Sequence, residues 1–242
     1  MTKQEVLFIS DLHLSAARPA TTQRFLRFLR QRAPAAERLY ILGDLFDAWI
    51  GDDDDNPLNG AVKQALHRLA DAGTAVYLQH GNRDFLLGER FLRETGCRPL
   101  PEYAVIDLYG MPTLLMHGDL LCSDDLAYLN FRAISRTPAW RDNILGKPLW
   151  LRRLGARWYR WRSHWHKAKK TAAIMDANLD TVKETMQGHG VTRLIHGHTH
   201  RPALHDLMLA DGRPAQRFVL AEWDDQSSVL CWNSEGYRLE SI

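Results

Sequence analysis

The chain has 242 residues, of which 45% are hydrophobic and 25% are charged, and its formal net charge at pH 7 is +2. This composition is typical of a globular protein and excludes a disordered or fibrous chain. Without a run of about eighteen apolar residues we expect no membrane-spanning helix, and the weakly apolar amino terminus predicts no signal peptide. The odd number of cysteines, without C-x-x-C spacing, predicts no disulfide framework and is typical of a reducing cytoplasm.

Short apolar runs alternate with helical patterns over roughly the first 120 residues. Buried strands are predicted at Val6–Ile9, Leu39–Leu42, Val76–Leu78 and Thr113–Met116. Helices are predicted from Thr21 with a threonine N-cap, from Asn59 to Gly73, and over residues 85–96. A further helix over residues 174–190 and a strand at Arg193–Ile195 follow later in the chain.

The remaining carboxyl-terminal part has strand-like runs separated by the turn dipeptides DG, DD and EG, which predicts a meander of hairpins. Strand–helix alternation followed by hairpins is typical of a layered α/β fold with stacked sheets.

One basic segment, Arg132–Lys170, departs from the ordinary composition. It holds twelve of the 31 lysines and arginines, five of the eight tryptophans and a single acid, Asp142. Its net charge is about +11, so the rest of the chain carries about −9. Such asymmetry indicates an anionic partner, namely nucleic acid, a membrane surface or a phosphorylated substrate. The alternative is a solvated basic helix whose tryptophans pack in the core.

Each of the five predicted strands ends in a turn that carries carboxylate, amide or imidazole groups. In chain order these turns read SDLH, GDLFD, GNRD, HGD and HGHTH. In open α/β sheets, ligands bind where the strands end at their carboxyl edge, so we expect the five turns to converge on one site. The metal-ligating side chains that they offer are Asp11, His13, Asp44, Asn82, His117, His198 and His200.

This mixed set of oxygen and nitrogen ligands, without a thiolate, suits Mn²⁺, Fe²⁺ or Zn²⁺. Seven side chains are too many for one ion but suit two ions that share a carboxylate. Two such ions, about 3.5–4 Å apart, bind the attacking and leaving oxygens of phosphoryl transfer. Taken singly, each turn also has an ordinary structural explanation; the set as a whole does not.

The ordered motifs D-x-H, G-D-x-x-D, G-N-x-D, H and G-H-x-H resemble the calcineurin-like metallophosphoesterase superfamily. The resemblance implies a four-layer α-β-β-α fold, which we expect to form a single domain over residues 1–242. It also implies that one ion is held by Asp11, His13, Asp44 and His200. The second ion would be held by Asp44, Asn82, His117 and His198, so that Asp44 is the bridging ligand.

One position departs from the superfamily pattern, which usually reads G-N-H-D and whose histidine is thought to protonate the leaving oxygen. Here Arg83 stands in that position. Arginine is a poor general acid because it stays protonated, but its planar guanidinium binds phosphate oxygens well. A phosphate leaving group, with a second pKa of about 6, needs no proton, whereas an alkoxide does. Arg83 therefore favours cleavage of a P–O–P bond, and we expect Arg83 and Asp44 to be the catalytic residues.

Within the superfamily, SDLHLS, GDLFDAWIGDD, GNRDFLLG and the Arg- and Trp-rich insertion resemble the UDP-2,3-diacylglucosamine pyrophosphatases of lipid A biosynthesis. The resemblance implies Mn²⁺-dependent hydrolysis of this lipid-linked UDP-sugar to UMP and 2,3-diacylglucosamine 1-phosphate. It also implies peripheral association with the anionic cytoplasmic face of the inner membrane. The implied substrate contacts are Asn82, Arg83, Asp125, Ser163, Lys167, Lys170 and His198. Lys167 departs from the family, in which many members have Asn.

We expect residues 125–170 to fold as helices that form a lid over the metal site. Trp158, Trp161 and Trp165 are spaced three and four residues apart, so a helix would place them on one face to hold acyl chains. The acidic stretch Gly51–Pro57 is predicted to be a solvated loop.

Two rival functions remain open at this point. Another phosphoesterase, acting on nucleotides or nucleic acid, would use the basic segment to stack on bases and bind phosphates. A non-catalytic scaffold is disfavoured by the complete set of ligands. We expect neither a nucleic-acid ligand nor an obligate protein partner.

Overall fold

The structure consists of two β-sheets with helices packed against them. The computed structural model describes residues 5–167, 176–223 and 227–242, and the side chains of residues 161–167 are not described. The strands are β1 (Val6–Ile9), β2 (Arg38–Leu42), β3 (Ala75–Gln79), β4 (Arg98–Pro99), β5 (Ala104–Leu108), β6 (Met111–Met116), β7 (Arg193–His196), β8 (Ala203–Met208), β9 (Pro214–Val219), β10 (Ser228–Asn233) and β11 (Gly236–Ser241). The helices are α1 (Pro19–Gln31), α2 (Pro57–Asp71), α3 (Glu89–Thr95), α4 (Leu126–Ser135), α5 (Pro138–Leu145), α6 (Leu149–Lys167) and α7 (Leu179–Gly188).

The five predicted strands are confirmed, but they belong to two sheets. The first sheet has the order β11–β10–β1–β2–β3–β4, in which β1, β2 and β3 run parallel. The second has the order β5–β6–β7–β9–β8, in which β6, β7 and β9 run parallel. Parallel neighbours end at the same edge of a sheet. The five motif-bearing turns therefore extend from one edge of each sheet.

Three apolar clusters separate the layers of the molecule. Successive residues of a strand face opposite sides, so Leu7 and Ile9 of β1 pack against α1, α2 and α3. Val6 and Phe8 face the second sheet instead. On the outer face of the second sheet, β6 and β7 pack against α7. The order helix, sheet, sheet, helix confirms the predicted four-layer α-β-β-α fold.

The starts of four helices differ from the sequence prediction, and α2 begins at Pro57 rather than Asn59. α1 begins at Pro19 rather than Thr21, with Arg18 in the N-cap position, because proline is favoured in the first helical turn, where its missing N–H has no partner to lose. α3 begins only at Glu89, so the first residues of the predicted segment 85–96 are not helical. Gly88 precedes this helix in an extended conformation. Residues 174 and 175 of the predicted last helix lie outside the described residues, and α7 begins at Leu179.

The carboxyl-terminal part is not one meander, as the turn dipeptides predicted. β8 and β9 form a hairpin in the second sheet, whereas β10 and β11 form a hairpin in the first sheet. The chain therefore crosses between the sheets after Val219. β4 and β5 escaped prediction because β4 has only two residues and β5 lies at the edge of its sheet, with Val105 exposed.

Of the segment 125–170, for which helices were predicted, the described part up to Lys167 contains α4, α5 and α6, and residues 168–170 lie outside the described residues. None of the helices in the described part of the chain has an apolar stretch of the length that a membrane span requires. Helix α6 is fixed to the protein body through the acidic stretch Gly51–Pro57.

This acidic stretch is not simply solvated, as the sequence predicted. The buried guanidinium of Arg152 donates hydrogen bonds to the backbone oxygen of Ile50 and to Asp53. The neighbouring Arg153 donates to Asp54 at 2.6 Å. The carboxylates are therefore used to bind the basic helix α6 against the sheet-bearing body.

Candidate dinuclear metal site

The site is built on strained turns that follow the strands. Five of the seven predicted ligands are non-glycine residues with a positive φ: Asp11 (55°), His13 (48°), Asp44 (52°), His198 (68°) and His200 (55°). Such a conformation costs about 1–3 kcal/mol per residue and clusters at functional sites. The turns support one another, since Asp11 N–H donates to Gly43 O at 3.1 Å and His13 N–H to Asp44 O at 3.0 Å.

The first group of ligands contains Asp11, His13 and His200. His200 Nε2 lies 3.3 Å from both Asp11 Oδ1 and His13 Nε2. His13 Nδ1 lies 3.7 Å from Asp44 Oδ2 and has no hydrogen-bond partner although it is buried. The four residues that the sequence assigns to one ion therefore lie close together, with Asp44 next to His13.

The second group contains His117, Asn82 and His198, again beside Asp44. Asn82 Oδ1 lies 3.0 Å from His117 Nε2 and 2.9 Å from His198 Nδ1, and the two imidazole nitrogens are 3.2 Å apart. Asp44 Oδ1 is 3.8 Å from His117 Nε2. Asp44 therefore lies between the two groups, and all seven predicted ligands meet where the two sheet edges face each other.

Burial, hydrogen bonds and neighbouring charges together control the protonation of these groups. Burial lowers the pKa of His13 to about 4 and that of His198 to about 3, so both imidazoles are neutral at pH 7. Burial also raises the pKa of Asp44. Burial opposes ionisation of Asp11 too, but its hydrogen bond with His200 and the charges of the surrounding histidines hold its pKa well below the ordinary value. Burial opposes protonation of His117 and His200 as well, but the neighbouring carboxylates outweigh it and raise the pKa of both, that of His200 to about 9. Carboxylates and imidazoles gathered in one buried cluster form a site that favours cations.

The donor set fits divalent cations. One ligand atom each from Asp11, His13 and His200 lies within 4.8 Å of the others, and the same holds for Asp11, Asp44 and His117. The second grouping differs from the sequence-based assignment because Asp11 also reaches His117. Two carboxylates with a hydrogen-bond-free buried imidazole nitrogen between them supply the charge and lone pairs that a cation requires.

Two motif glycines allow the turns to approach the carboxylates closely. Asp44 Oδ1 accepts a hydrogen bond from Arg83 N–H at 2.8 Å, and Asp11 Oδ2 accepts one from His198 N–H at 2.8 Å. A Cβ on Gly81 would collide with Asp44, and a Cβ on Gly197 would collide with Asp11. The turn that contains Gly81 therefore lies directly against Asp44, and the turn that contains Gly197 lies directly against Asp11.

Two buried acids in the motifs had no role in the sequence prediction. Asp84, the last residue of GNRD, accepts hydrogen bonds from Leu45 N–H at 2.7 Å and Gly81 N–H at 2.8 Å. It thereby joins the second turn to the third. Asp84 and Asp119 each end a ligand motif, and this position was the signal available in the sequence. Nothing in the sequence, however, distinguishes an acid that joins two turns from an acid that binds a metal ion.

Asp119, the last residue of HGD, joins α4 to the site. It accepts hydrogen bonds from Arg132 Nε at 2.7 Å and from the Tyr128 hydroxyl. The Tyr128 ring stacks on His198 with 6.2 Å between the ring centroids. Helix α4 therefore contacts the second group of ligands directly, through the rings of Tyr128 and His198.

The predicted substrate contacts are only partly described. The charge of Arg83 acts on both Asp44 and His13. Asp125 caps the start of α4 by accepting from Tyr128 N–H at 3.1 Å. Ser163 and Lys167 lie in α6 but their side chains are not described, and Lys170 lies outside the described residues.

A family model described as calcineurin-like phosphoesterase matches residues 5–202, and the chain belongs to this family of metal-dependent hydrolases. Curated relatives named UDP-2,3-diacylglucosamine hydrolase are similar along almost their whole length. The relative from Pseudomonas aeruginosa is 51% identical over 96% of this chain and 97% of its own. That from Stenotrophomonas maltophilia is 49% identical over 98% of both chains. A solved archaeal phosphodiesterase shares the fold, with a TM-score of 0.50, 10% identity, and coverage of 98% of this chain and 99% of that chain.

The contact between Gly81 and Asp44 predicts the effect of one methyl group. We expect Gly81→Ala to displace the Asp44 carboxylate and lower turnover by at least about 100-fold, the usual effect of disturbing preorganised charge. Gly60→Ala is the matched control, because a Cβ at this position on α2 meets nothing within 4 Å. It should keep full activity and raise stability slightly, by about 0.4–1 kcal/mol. Equal activity of the two variants in a steady-state assay would contradict the proposed packing.

Proposed function

We propose that this chain hydrolyses the pyrophosphate bond of UDP-2,3-diacylglucosamine, giving UMP and 2,3-diacylglucosamine 1-phosphate for lipid A biosynthesis, with two Mn²⁺ ions at the Asp44-centred site. The observation that carries the proposal is the convergence of two carboxylates, an amide and four imidazoles around Asp44, with Arg83 beside them. The names of the relatives at about half identity support the substrate.

In this proposal the first ion is held by Asp11, His13, Asp44 and His200, and the second by Asp44, Asn82, His117 and His198. When bound, such ions polarise phosphoryl oxygens and supply a nucleophile from water at neutral pH. The ligand set of carboxylate, amide and imidazole groups without a thiolate suits Mn²⁺, as it suits Fe²⁺ and Zn²⁺, and the resemblance to the UDP-2,3-diacylglucosamine pyrophosphatases favours Mn²⁺ among them.

Arg83 serves the reaction through charge rather than proton transfer. Hydrolysis adds the hydroxyl of water to one phosphorus, the bridging oxygen leaves on the other phosphate, and one proton passes to a product or to solvent. Because this leaving group is a phosphate, no acid has to protonate it as the bond breaks. The guanidinium of Arg83 binds the phosphate oxygens on which negative charge accumulates. Asn82 and His198 orient the same phosphates, and Asp125, Ser163, Lys167 and Lys170 contact the remainder of the substrate.

We also propose that α4–α6 form a lid for the acyl chains and rest on the anionic cytoplasmic face of the inner membrane. Trp150, Leu154 and Trp158 follow one another at four-residue intervals on α6 and are 63%, 54% and 58% exposed. Arg157 borders this apolar stripe, whereas the neighbouring Arg153 is paired with Asp54. Tryptophan and basic residues on one exposed helix are typical of interfacial binding, and the exposure of Trp158 argues against the core alternative.

A substrate panel tests the proposed reaction. We expect the lipid-linked UDP-sugar to be cleaved with release of UMP, and oligonucleotides to be cleaved poorly. Arg83→Ala should lower kcat about 10²–10³-fold, with Arg83→Lys intermediate. A preference for oligonucleotides would instead indicate the rival function, a phosphodiesterase that acts on nucleic acid. Strong activity of Arg83→His alone would show that the leaving group needs an acid.

Vesicle binding tests the lid surface. Replacing Trp150 and Leu154 with Ser should weaken sedimentation with phosphatidylglycerol vesicles by about tenfold or more, because apolar area no longer leaves water. Leu239→Ser is the control, since Leu239 is 64% exposed on β11, the edge strand of the first sheet, and does not belong to α4–α6. Hydrolysis of a short soluble phosphodiester should stay unchanged in both. Equal vesicle binding by the two variants and the wild-type protein would contradict the assignment.

A further inference from the structure

Glu222 approaches the metal site from outside the five motifs. It follows β9, beyond residue 202 where the family match ends. Its Oε2 lies 2.7 Å from Nδ1 of His200. The opposite ring nitrogen, His200 Nε2, lies 3.3 Å from Asp11 Oδ1 and from His13 Nε2. One side of the ring thus faces the ligand group and the other faces Glu222.

When a cation takes the place of the hydrogen at Nε2, this arrangement selects one tautomer of the imidazole. A neutral histidine carries its hydrogen on one nitrogen and a lone pair on the other. A carboxylate beside Nδ1 keeps the hydrogen there, so the lone pair of Nε2 is directed to the ligand group. A carboxylate that accepts from a ligating histidine also fixes the orientation of the ring and strengthens its binding to metal.

Glu222 is itself held in place. Arg18 Nη1 donates to Glu222 Oε1 at 2.9 Å, and Arg18 Nη2 donates to the backbone oxygen of Trp223 at 3.3 Å. Trp223 N–H donates to Asp11 O at 3.1 Å. The Trp223 side chain is fully buried and packs edge-on against Phe25 and Phe28 of α1, with ring centroids 5.8 and 5.4 Å away. The position of Glu222 is therefore tied to α1 and to the Asp11 turn.

We infer that Glu222 is a positioning residue that directs Nε2 of His200 toward the cation held by Asp11, His13 and His200, and that Arg18 fixes Glu222 for this task. The inference rests on the proposed metal site and concerns only its first ion. Glu222 contacts neither the substrate nor the second ligand group in this scheme, so its loss should weaken the first ion selectively.

Calorimetric titration of the metal-stripped full-length chain with Mn²⁺ tests the inference. We expect Glu222→Gln to weaken one of two ions by about 10–100-fold and to leave the other unchanged. Excess Mn²⁺ should restore most of the turnover. Glu240→Gln is the matched control, because Glu240 accepts from Arg32 at 2.7 Å as Glu222 does from Arg18, but belongs to β11. This control should bind both ions normally.

Arg18→Gln provides a second route if Glu222→Gln folds poorly, since it leaves the glutamate in place but removes its support. It should weaken the same ion, and far-UV circular dichroism should match that of the wild-type protein. Wild-type affinity for both ions in Glu222→Gln or in Arg18→Gln would overturn the inference. A wild-type chain that binds no second ion would overturn the two-ion site itself, which is a distinguishable result.

Discussion

Two carboxylates removed from water impose the main constraint on this structure. Asp11 and Asp44 are at most 1% exposed, at the point where the edges of two sheets meet. Burying such charge is costly unless cations and hydrogen bonds compensate it. Backbone N–H groups of neighbouring turns donate hydrogen bonds to both carboxylates, and the pKa values of His117 and His200 beside them lie above the ordinary value, which together provide part of this compensation. Stability is thus exchanged locally for a site that attracts divalent cations, while three apolar clusters hold the surrounding layers together.

The layered fold and the ligand cluster were predictable because both are encoded locally. A buried strand followed by a polar turn is visible within ten or so residues, and strand ends of an α/β sheet meet by geometry. The sequence pattern therefore predicted Asp11, Asp44 and their histidine partners correctly as neighbours. Their roles as ligands of two separate ions remain a proposal supported by this geometry.

Other features could not be predicted because they depend on contacts between distant segments. The pairing of Arg152 with Asp53 converts an apparently solvated acidic loop into an attachment point for α6. The contact of Glu222 with His200 requires the chain to cross from one sheet to the other after β9. Helix starts at Pro19 and Glu89 were missed because capping depends on one or two residues. Strand β4 was missed because it has only two residues, and β5 was missed because part of this edge strand is exposed.

If two cations share Asp44, electron paramagnetic resonance of the Mn²⁺-saturated chain will detect them as a pair. Two manganese ions that share one carboxylate interact magnetically, so we expect the wild-type protein to give the spectrum of a coupled pair. Asp44→Ala should abolish that spectrum. At saturating metal, a wild-type spectrum of isolated ions only would show that the two cations do not share Asp44.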